Sequence, residues 1–139
     1  MLVAIEKFSK WIKARPIGKI KSEQVVLFFT DIVYRFGVPN SIITDNGTQF
    51  TGRKFLAFCD NYHIRVDWSA VANPRTNGQV ERANGMILQG LKPRIFNTLN
   101  KFGRRWLTEL PSVIWSLRTT SSRATGFSPF FLVYGAVTP

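Results

Sequence analysis

Apolar residues recur at intervals of three and four residues between Ser22 and Phe36, and this period predicts an amphipathic α-helix. Ser22 is a candidate N-cap, whereas Gly37 and Pro39 are residue types that end helices. A similar stripe predicts a second helix from Arg53 to Tyr62. The apolar stripes of the two helices consist of Val25, Val26, Phe28, Phe29, Ile32, Val33 and Phe36, and of Phe55, Leu56, Phe58 and Cys59.

Weaker helical patterns occupy the second half of the chain. A third helix is predicted to start near Asn77 and to run toward Leu99, with Val80, Ile87, Leu91 and Ile95 on one face. Pro93 removes a backbone hydrogen bond at a cost of about 3 kcal/mol, which predicts a kink or a break. One or two helical pieces around Pro111 are predicted from Trp106 to Leu117, and a last short helix from Pro129 to Tyr134.

Four short apolar runs have the composition of β-strands. Leu2–Ile5 and Trp11–Ala14 are joined by a plausible hairpin connection, and Ser41–Asp45 and Ile64–Trp68 follow later. Turn-forming residues over 69–78 predict a loop. The order β-β-α-β-α-β-α-α is typical of a layered α/β domain, and residues 1–139 are predicted to form one domain.

Composition narrows the function classes. The chain has 19 basic and 8 acidic residues, a formal charge of +11. This charge either keeps a basic protein soluble or serves a polyanionic partner, most commonly nucleic acid.

Cys59 and His63 are the single cysteine and histidine, which excludes an internal disulfide and a zinc site of Cys and His ligands. We expect each of these two side chains either to pack in the core or to lie exposed at the surface. No apolar run reaches the roughly 18 residues of a membrane span.

Two carboxylates stand where α/β proteins place ligand sites. Asp45 follows an apolar strand, at the carboxyl end where such folds bind ligands. Glu81 lies in the first turn of the predicted third helix, where the helix dipole favours negative charge. Each residue alone also suits a structural role, Asp45 in a turn and Glu81 at a helix start. Thirty-five residues separate the two.

The residues around this pair form a specific constellation. It runs through Ile43-Thr44-Asp45-Asn46-Gly47, Gln49-Phe50, Asn73-Pro74, Thr76-Asn77-Gly78 and Glu81. This constellation resembles the catalytic core of retroviral and long-terminal-repeat retrotransposon integrases, whose hallmark is an Asp followed by Asp-35-Glu. Segments elsewhere resemble the gypsy-type elements of plants, namely Phe8–Ile12, Phe36–Pro39, Trp106–Pro111, Arg118–Thr120, Thr125–Phe130 and Tyr134-Gly135.

The resemblance implies an RNase H-like fold, a mixed sheet flanked by helices, and joining of retroelement DNA ends to target DNA. It implies two Mg²⁺ or Mn²⁺ ions, which stabilise the attacking and leaving oxygens of an in-line displacement. Asp45 would bind one ion and Glu81 the other, while a further Asp bridges both.

The resemblance also implies a nuclear location and a possible homodimer. The implied DNA-binding residues are Asn73, Arg75, Asn77, Gln79, Arg82, Asn84, Lys92 and Arg94. The four basic residues in this set either contact DNA phosphates or are ordinary solvated charges.

One part of the family pattern is missing. The bridging Asp belongs to a central strand ahead of Leu2–Ile5, and this chain contains neither that strand nor that Asp. We interpret the chain as an amino-terminally truncated core, inactive alone, whose two remaining carboxylates are not expected to hold metal firmly. Glu6 is interpreted as an exposed turn charge rather than a replacement.

Two other functions stay open. The chain could be a non-catalytic nucleic-acid-binding remnant with a basic surface. A metal-dependent nuclease of the same fold would use the same carboxylates, although the motif at 73–78 favours an integrase. An in-frame upstream segment that encodes the missing Asp would distinguish an enzyme from a remnant.

Overall fold

Strands and helices are interspersed through residues 1–68, and the described residues from 93 to 136 are mainly helical. The computed structural model describes residues 1–44, 47–68 and 93–136. Its strands are β1 (Leu2–Ile5), β2 (Ile12–Arg15), β3 (Ser41–Ile43) and β4 (Arg65–Asp67). Its α-helices are α1 (Ser22–Phe36), α2 (Thr48–Thr51), α3 (Arg53–Asn61), α4 (residues 93–100), α5 (Trp106–Thr119) and α6 (Pro129–Tyr134), with a 3₁₀ turn at Gly103–Arg105 before α5.

The chain divides into two compact units. The first comprises Met1–Leu2 and Ile17–Gly85, and the second comprises Val3–Pro16 and Met86–Pro139. In the described ranges, the strands form two separate two-stranded sheets, β1–β2 and β3–β4. No described helix is both long and apolar enough to cross a membrane.

The core of the first unit lies between α1 and α3. Val25, Phe28 and Phe55 have no exposed surface, and Phe58 and Cys59 are nearly as buried. The Phe29 and Phe55 rings lie 5.9 Å apart, centroid to centroid. Most of the apolar stripe predicted for each helix is therefore buried, which is how amphipathic helices gain most of their stability, whereas the predicted stripe residues Phe36 and Leu56 are exposed at stripe ends or edges.

Ser22 does not cap α1, contrary to the prediction. Lys21 occupies the N-cap position, and its backbone N–H donates to Gln24 Oε1 at 2.9 Å. The Ser22 hydroxyl instead accepts a 2.9 Å hydrogen bond from the backbone N–H of Phe55. This bond satisfies an otherwise unpaired amide in the first turn of α3, so Ser22 joins two helices rather than ending one.

The second unit contains the β1–β2 hairpin, apart from Leu2, and the helices from α4 onward. Ile95 and Leu99 of α4 are buried, as are Leu110, Val113 and Ile114 of α5. Pro111 lies inside α5 without dividing it into two pieces. The burial of its neighbours offsets the backbone hydrogen bond that proline cannot make.

An aromatic row connects α5, α6 and the hairpin. Ring centroids are separated by 5.7 Å between Trp115 and Phe130, by 4.8 Å between Phe130 and Tyr134, and by 5.6 Å between Tyr134 and Trp11. Helix α6 spans Pro129–Tyr134 as predicted, and Ser128 Oγ caps it by accepting from the N–H of Phe131 at 3.1 Å. These contacts fix the hairpin against the carboxy-terminal helices.

Candidate functional site

The carboxyl ends of β3 and β4 lie side by side. The two strands are parallel, and Ile43 is in register with Asp67. The backbone N–H of Thr44 donates to the carbonyl of Asp67 at 2.9 Å, and Thr44 is buried. Asp45 is the next residue along the chain but lies outside the described residues. The register therefore places the end of β3, from which Asp45 continues, beside Asp67.

The chain resumes at Gly47 with the short helix α2. The Phe50 ring lies 5.7 Å from the Phe55 ring, centroid to centroid. The carbonyl of Gly47 accepts from the N–H of Phe50 at 2.9 Å. Phe50, one of the residues that carried the family resemblance, thus anchors the segment after Asp45 to the core of α3.

Most of the predicted site residues fall outside the described residues. These are Asp45, Asn73, Arg75, Asn77, Gln79, Glu81, Arg82, Asn84 and Lys92. Their roles stay predictions, and so does the loop over 69–78. The predicted start of the third helix also lies outside, and Pro93 is the first described residue of α4, so the kink or break predicted there stays a prediction.

Arg94 is the predicted DNA-binding residue that the structure describes. It lies in the first turn of the described part of α4, and its side chain is exposed. Its carbonyl accepts a hydrogen bond from Thr98 Oγ1 at 2.7 Å, within the helix. A guanidinium in this position can reach a phosphate without giving up a buried contact.

The carboxylate of Glu6 accepts hydrogen bonds within the hairpin turn between β1 and β2. Its Oε2 accepts from the Ser9 N–H at 2.6 Å and from Ser9 Oγ at 2.7 Å, and Oε1 accepts from the Phe8 N–H at 3.1 Å. Partial burial raises the pKa of this carboxyl, but the Ser9 and Phe8 hydrogen bonds and the nearby Lys10 outweigh it, so the pKa is lowered. The turn uses the carboxylate for its own backbone, which agrees with the interpretation of Glu6 as a turn charge.

The described residues contain no group of three or more His, Cys, Asp or Glu side chains able to hold a metal ion. The candidate ligands Asp45 and Glu81 offer carboxylate oxygens, which suit a hard divalent cation such as Mg²⁺. Glu6, whose oxygens already accept three hydrogen bonds, adds no free ligand. The donor chemistry therefore fits Mg²⁺ in type, while the described part of the chain supplies no complete ligand set.

Cys59 and His63 have the structural roles expected of them. Cys59 is buried in the core of the first unit, and this burial raises the pKa of its thiol to about 11. His63 is exposed beyond the end of α3, in a left-handed backbone conformation with φ of 56°. Neither residue contributes chemistry in this account.

Asp67 was not among the site residues predicted from the sequence. It lies at the carboxyl end of β4, in register with Ile43, two residues before Asp45. The sequence signal that could have pointed to Asp67 is a polar residue at the end of a short apolar strand. However, only the parallel register of β3 and β4 brings Asp67 to the same sheet edge as the end of β3. The structure thus adds one acidic residue to this edge.

Comparison with known proteins identifies the family. The family model of the integrase core domain matches residues 1–74, so the chain belongs to the integrase core domain family. It is 33% identical over 141 residues to the Gag-Pol polyprotein of avian reticuloendotheliosis virus, and 30% identical over 141 residues to that of gibbon ape leukemia virus. Both matches cover the whole chain, which spans 12% and 8% of the length of these two relatives.

Solved structures define the fold. The HTLV-2 integrase catalytic core domain in complex with magnesium, in its trimeric form, matches with a TM-score of 0.63 and 26% identity, over 92% of this chain and 80% of that chain. The catalytic core domain of BIV integrase matches with a TM-score of 0.67 and 22% identity, over 94% of this chain and 82% of that chain. The chain therefore has the RNase H-like α/β fold of integrase catalytic cores, as predicted.

Proposed function

We propose that this chain is the catalytic core domain of a long-terminal-repeat retroelement integrase, of the plant gypsy type, which joins retroelement DNA ends to target DNA in the nucleus. The observation that carries the proposal is the pair Asp45 and Glu81, separated by 35 residues in a chain of the integrase core domain family. Residues 1–139 form one such domain in this proposal.

Asp45 and Glu81 would hold the divalent metal ions, Mg²⁺ or Mn²⁺. When bound, such ions stabilise the charge that develops on the attacking and leaving oxygens of an in-line phosphoryl transfer. A magnesium complex of the HTLV-2 core domain supports the choice of metal. The family pattern adds a third carboxylate on a strand ahead of β1, which would anchor both ions.

The 139-residue chain is inactive by itself in this proposal. Residues 1–139 include no strand Asp ahead of β1, and the Glu6 carboxylate already accepts three hydrogen bonds within its own turn. Two carboxylates would leave the ions without their shared ligand. Because two-metal catalysis depends on holding both ions in place, we infer that loss of this ligand removes most of the activity.

The DNA contacts would come from the basic surface. The predicted contacts are Asn73, Arg75, Asn77, Gln79, Arg82, Asn84, Lys92 and Arg94, and the exposed position of Arg94 suits a phosphate contact. A related integrase from simian T-cell lymphotropic virus has been solved as an intasome, with a TM-score of 0.68 and 22% identity. DNA as the partner is the proposal that this basic charge supports best.

We also propose that the domain forms a homodimer. The HTLV-2 core domain is described in both a dimeric and a trimeric form. In the first unit, Leu27 and Tyr34 occupy the same outer side of α1, seven residues apart, and both are exposed. Molar mass by light scattering tests this state directly: a monomer at tens of micromolar protein would contradict it.

A strand-transfer assay tests the catalytic part of the proposal. The chain and its Glu81→Gln variant would be incubated with a short duplex and Mg²⁺ or Mn²⁺. We expect no joined product from either protein. Activity that disappears in Glu81→Gln would show that another carboxylate completes the site, and the proposed inactivity would be wrong.

A non-catalytic nucleic-acid-binding module is the second candidate function, and the formal charge of +11 favours it. Duplex binding measured by fluorescence anisotropy over a range of salt concentrations tests it. Sequence-independent affinity that falls steeply with salt would support a binding role, because phosphate contacts release counterions. No measurable affinity at low salt would exclude it.

A further inference from the structure

The turn between β1 and β2 is a tightly bonded structure rather than a loose loop. The Glu6 N–H donates to the Trp11 carbonyl and the Lys10 N–H to the Glu6 carbonyl, both at 2.9 Å. The Glu6 carboxylate holds Phe8 and Ser9 as described above, and Ser9 Oγ accepts from the Trp11 N–H at 3.2 Å. Lys10 adopts a left-handed conformation with φ of 62°, which a non-glycine residue adopts only under constraint.

Phe8 projects from this rigid turn into solvent. Its side chain is 78% exposed, a value matched among the described large apolar side chains by Tyr34. The Lys7 ammonium nitrogen lies 5.5 Å from the centroid of the Phe8 ring, within cation–π distance. The ammonium of Lys10 donates to the carbonyl of Lys7 in the same turn. An aromatic face and two cations thus occupy one small, preorganised surface.

The positive charge continues along β2. Lys13 and Arg15 are two residues apart in this strand, so their side chains point to the same face. From Glu6 to Arg15 the chain has four basic residues and one acidic residue. Glu6 is engaged with backbone N–H groups and Ser9, so its charge is already partly compensated within the turn.

This combination matches the chemistry of unpaired nucleotides. A base has a π-face that stacks on an aromatic ring without regard to sequence, while basic side chains contact the phosphates that follow. The Lys7 ammonium lies over one face of the Phe8 ring, and the 78% exposure of Phe8 leaves room for a base on the other face. A base stacked there would bring its phosphate close to that ammonium. A base inside a duplex cannot stack in this way, because both of its faces are covered by neighbouring bases.

We propose that the hairpin turn Glu6–Trp11 is a contact site for single-stranded DNA, with one base stacked on Phe8 and phosphates bound by Lys7 and the basic face of β2. This inference rests on the proposed function, because it assumes that the domain binds DNA. It adds a recognition element for unpaired strands that lies outside the Asp45 and Glu81 site. Rigid presentation lowers the entropy lost on binding.

Fluorescence anisotropy with a labelled oligo(dT) strand and a labelled duplex of the same length tests the site. Phe8→Ala should weaken binding to the single strand by about tenfold and leave duplex binding within a factor of two. Phe8→Leu should behave like Phe8→Ala, while Phe8→Trp should keep the affinity of the natural chain. Phe127→Ala removes another exposed aromatic residue, which is 50% exposed and has no proposed binding role, and it should change neither affinity more than twofold.

Lys7→Gln provides a second, electrostatic readout. It should reduce the slope of log affinity against log salt for the single strand by about 0.7, the value of one phosphate contact. Circular dichroism of each variant would establish that the fold is kept, as expected because Phe8 is exposed and Lys7 is only half-buried.

The outcomes separate this inference from the proposed function. If the natural chain binds both DNA forms and Phe8→Ala binds the single strand equally well, the stacking site is wrong and DNA binding stands. A loss of duplex and single-strand binding to the same extent would also exclude stacking of an unpaired base. If the natural chain binds neither form at low salt, both proposals fall.

Discussion

The guanidinium carbon of Arg118 lies 4.2 Å from the centroid of the Trp11 ring. Nε of Arg118 also donates a 2.8 Å hydrogen bond to the carbonyl of Ile12. The two contacts join the last turn of α5 to the start of β2, inside the second unit. Two segments that carried the family resemblance, Phe8–Ile12 and Arg118–Thr120, therefore meet at this point.

Replacement of Arg118 should measure the strength of this connection. Arg118→Ala should lower the free energy of unfolding by about 1–2 kcal/mol, because it removes a cation–π contact and a hydrogen bond to a backbone carbonyl. Arg118→Lys should restore less than half of the loss, since lysine cannot donate from the Nε position. Urea denaturation measures both values. Arg123→Ala, at an exposed position, is the control, and an equal effect of the two alanine variants would contradict the account.

Ser22 approaches residue 52 so closely that we predict a requirement for glycine at this position. A Cβ atom at residue 52 would lie 2.7 Å from Ser22 Oγ and 2.8 Å from Ser22 Cβ. Gly52→Ala should therefore destabilise the chain by about 1–3 kcal/mol, in the range of overpacking substitutions. Gly18→Ala, where a Cβ meets no atom within 4 Å, should be neutral. Thermal unfolding of the two variants compares them directly; similar melting temperatures would show that α1 and α3 do not approach as described.

The Glu6 turn should make stability depend on pH in the acid range. Its folded-state pKa is lowered below the ordinary 4.5, so the ionised form is favoured in the folded chain and contributes stability above that value. This contribution is lost as the pH falls through the folded-state pKa. Glu6→Gln should melt at a lower temperature than the natural chain at pH 7, and the difference should shrink as the pH falls below 4.5. A difference that is constant with pH would argue against the hydrogen-bonded carboxylate.

Cys59 should report on the integrity of the first unit. Its pKa is raised from 9.0 to about 11 by burial, which reduces the thiolate fraction at neutral pH by about a hundredfold. Reaction with a thiol-specific disulfide reagent should therefore be at least a hundredfold slower in the native chain than in denaturant. Cys59→Ser provides the blank. Equal rates in both conditions would mean that α3 does not cover this side chain.

The helices with strong periodicity were predictable from the sequence. The bounds predicted for α1 are those of the structure, because its apolar stripe and the Gly37 and Pro39 stop signals agree. The bounds predicted for α6 are also those of the structure, in which Pro129 is the first helical residue and Gly135, with φ of 68°, follows the end. α3, β2, β3 and β4 differ from the predicted bounds by one or two residues at an end.

Features that depend on tertiary contacts were not predictable in the same way. The helix Thr48–Thr51 was missed because four residues carry no readable apolar period. α5 was not resolved into one helix or two, since the burial of Leu110 and Val113 around Pro111 is a tertiary effect. The role of Ser22 depends on Phe55, 33 residues away, so local rules assigned the hydroxyl to the wrong partner.

The candidate site, too, was predictable from the sequence only in part. Asp45, Glu81 and the motif around them identified the family from the sequence, and the comparisons confirm that family. The placement of Asp67 beside the end of β3 required the parallel register, which no local pattern reveals. The state of the Glu6 carboxylate likewise required the hydrogen bonds of the turn.

The most direct test of the central claim is to supply the third carboxylate. A strand carrying the Asp that the family pattern places ahead of Leu2–Ile5 would be joined ahead of Met1, with that Asp either kept or changed to Asn. Strand transfer with Mg²⁺ or Mn²⁺ would be measured on a short duplex. We predict joined product from the Asp form, and none from the Asn form, from Glu81→Gln in the Asp form or from the 139-residue chain. Product from the Asn form, or from the 139-residue chain itself, would contradict the claim that Asp45 and Glu81 need a third carboxylate.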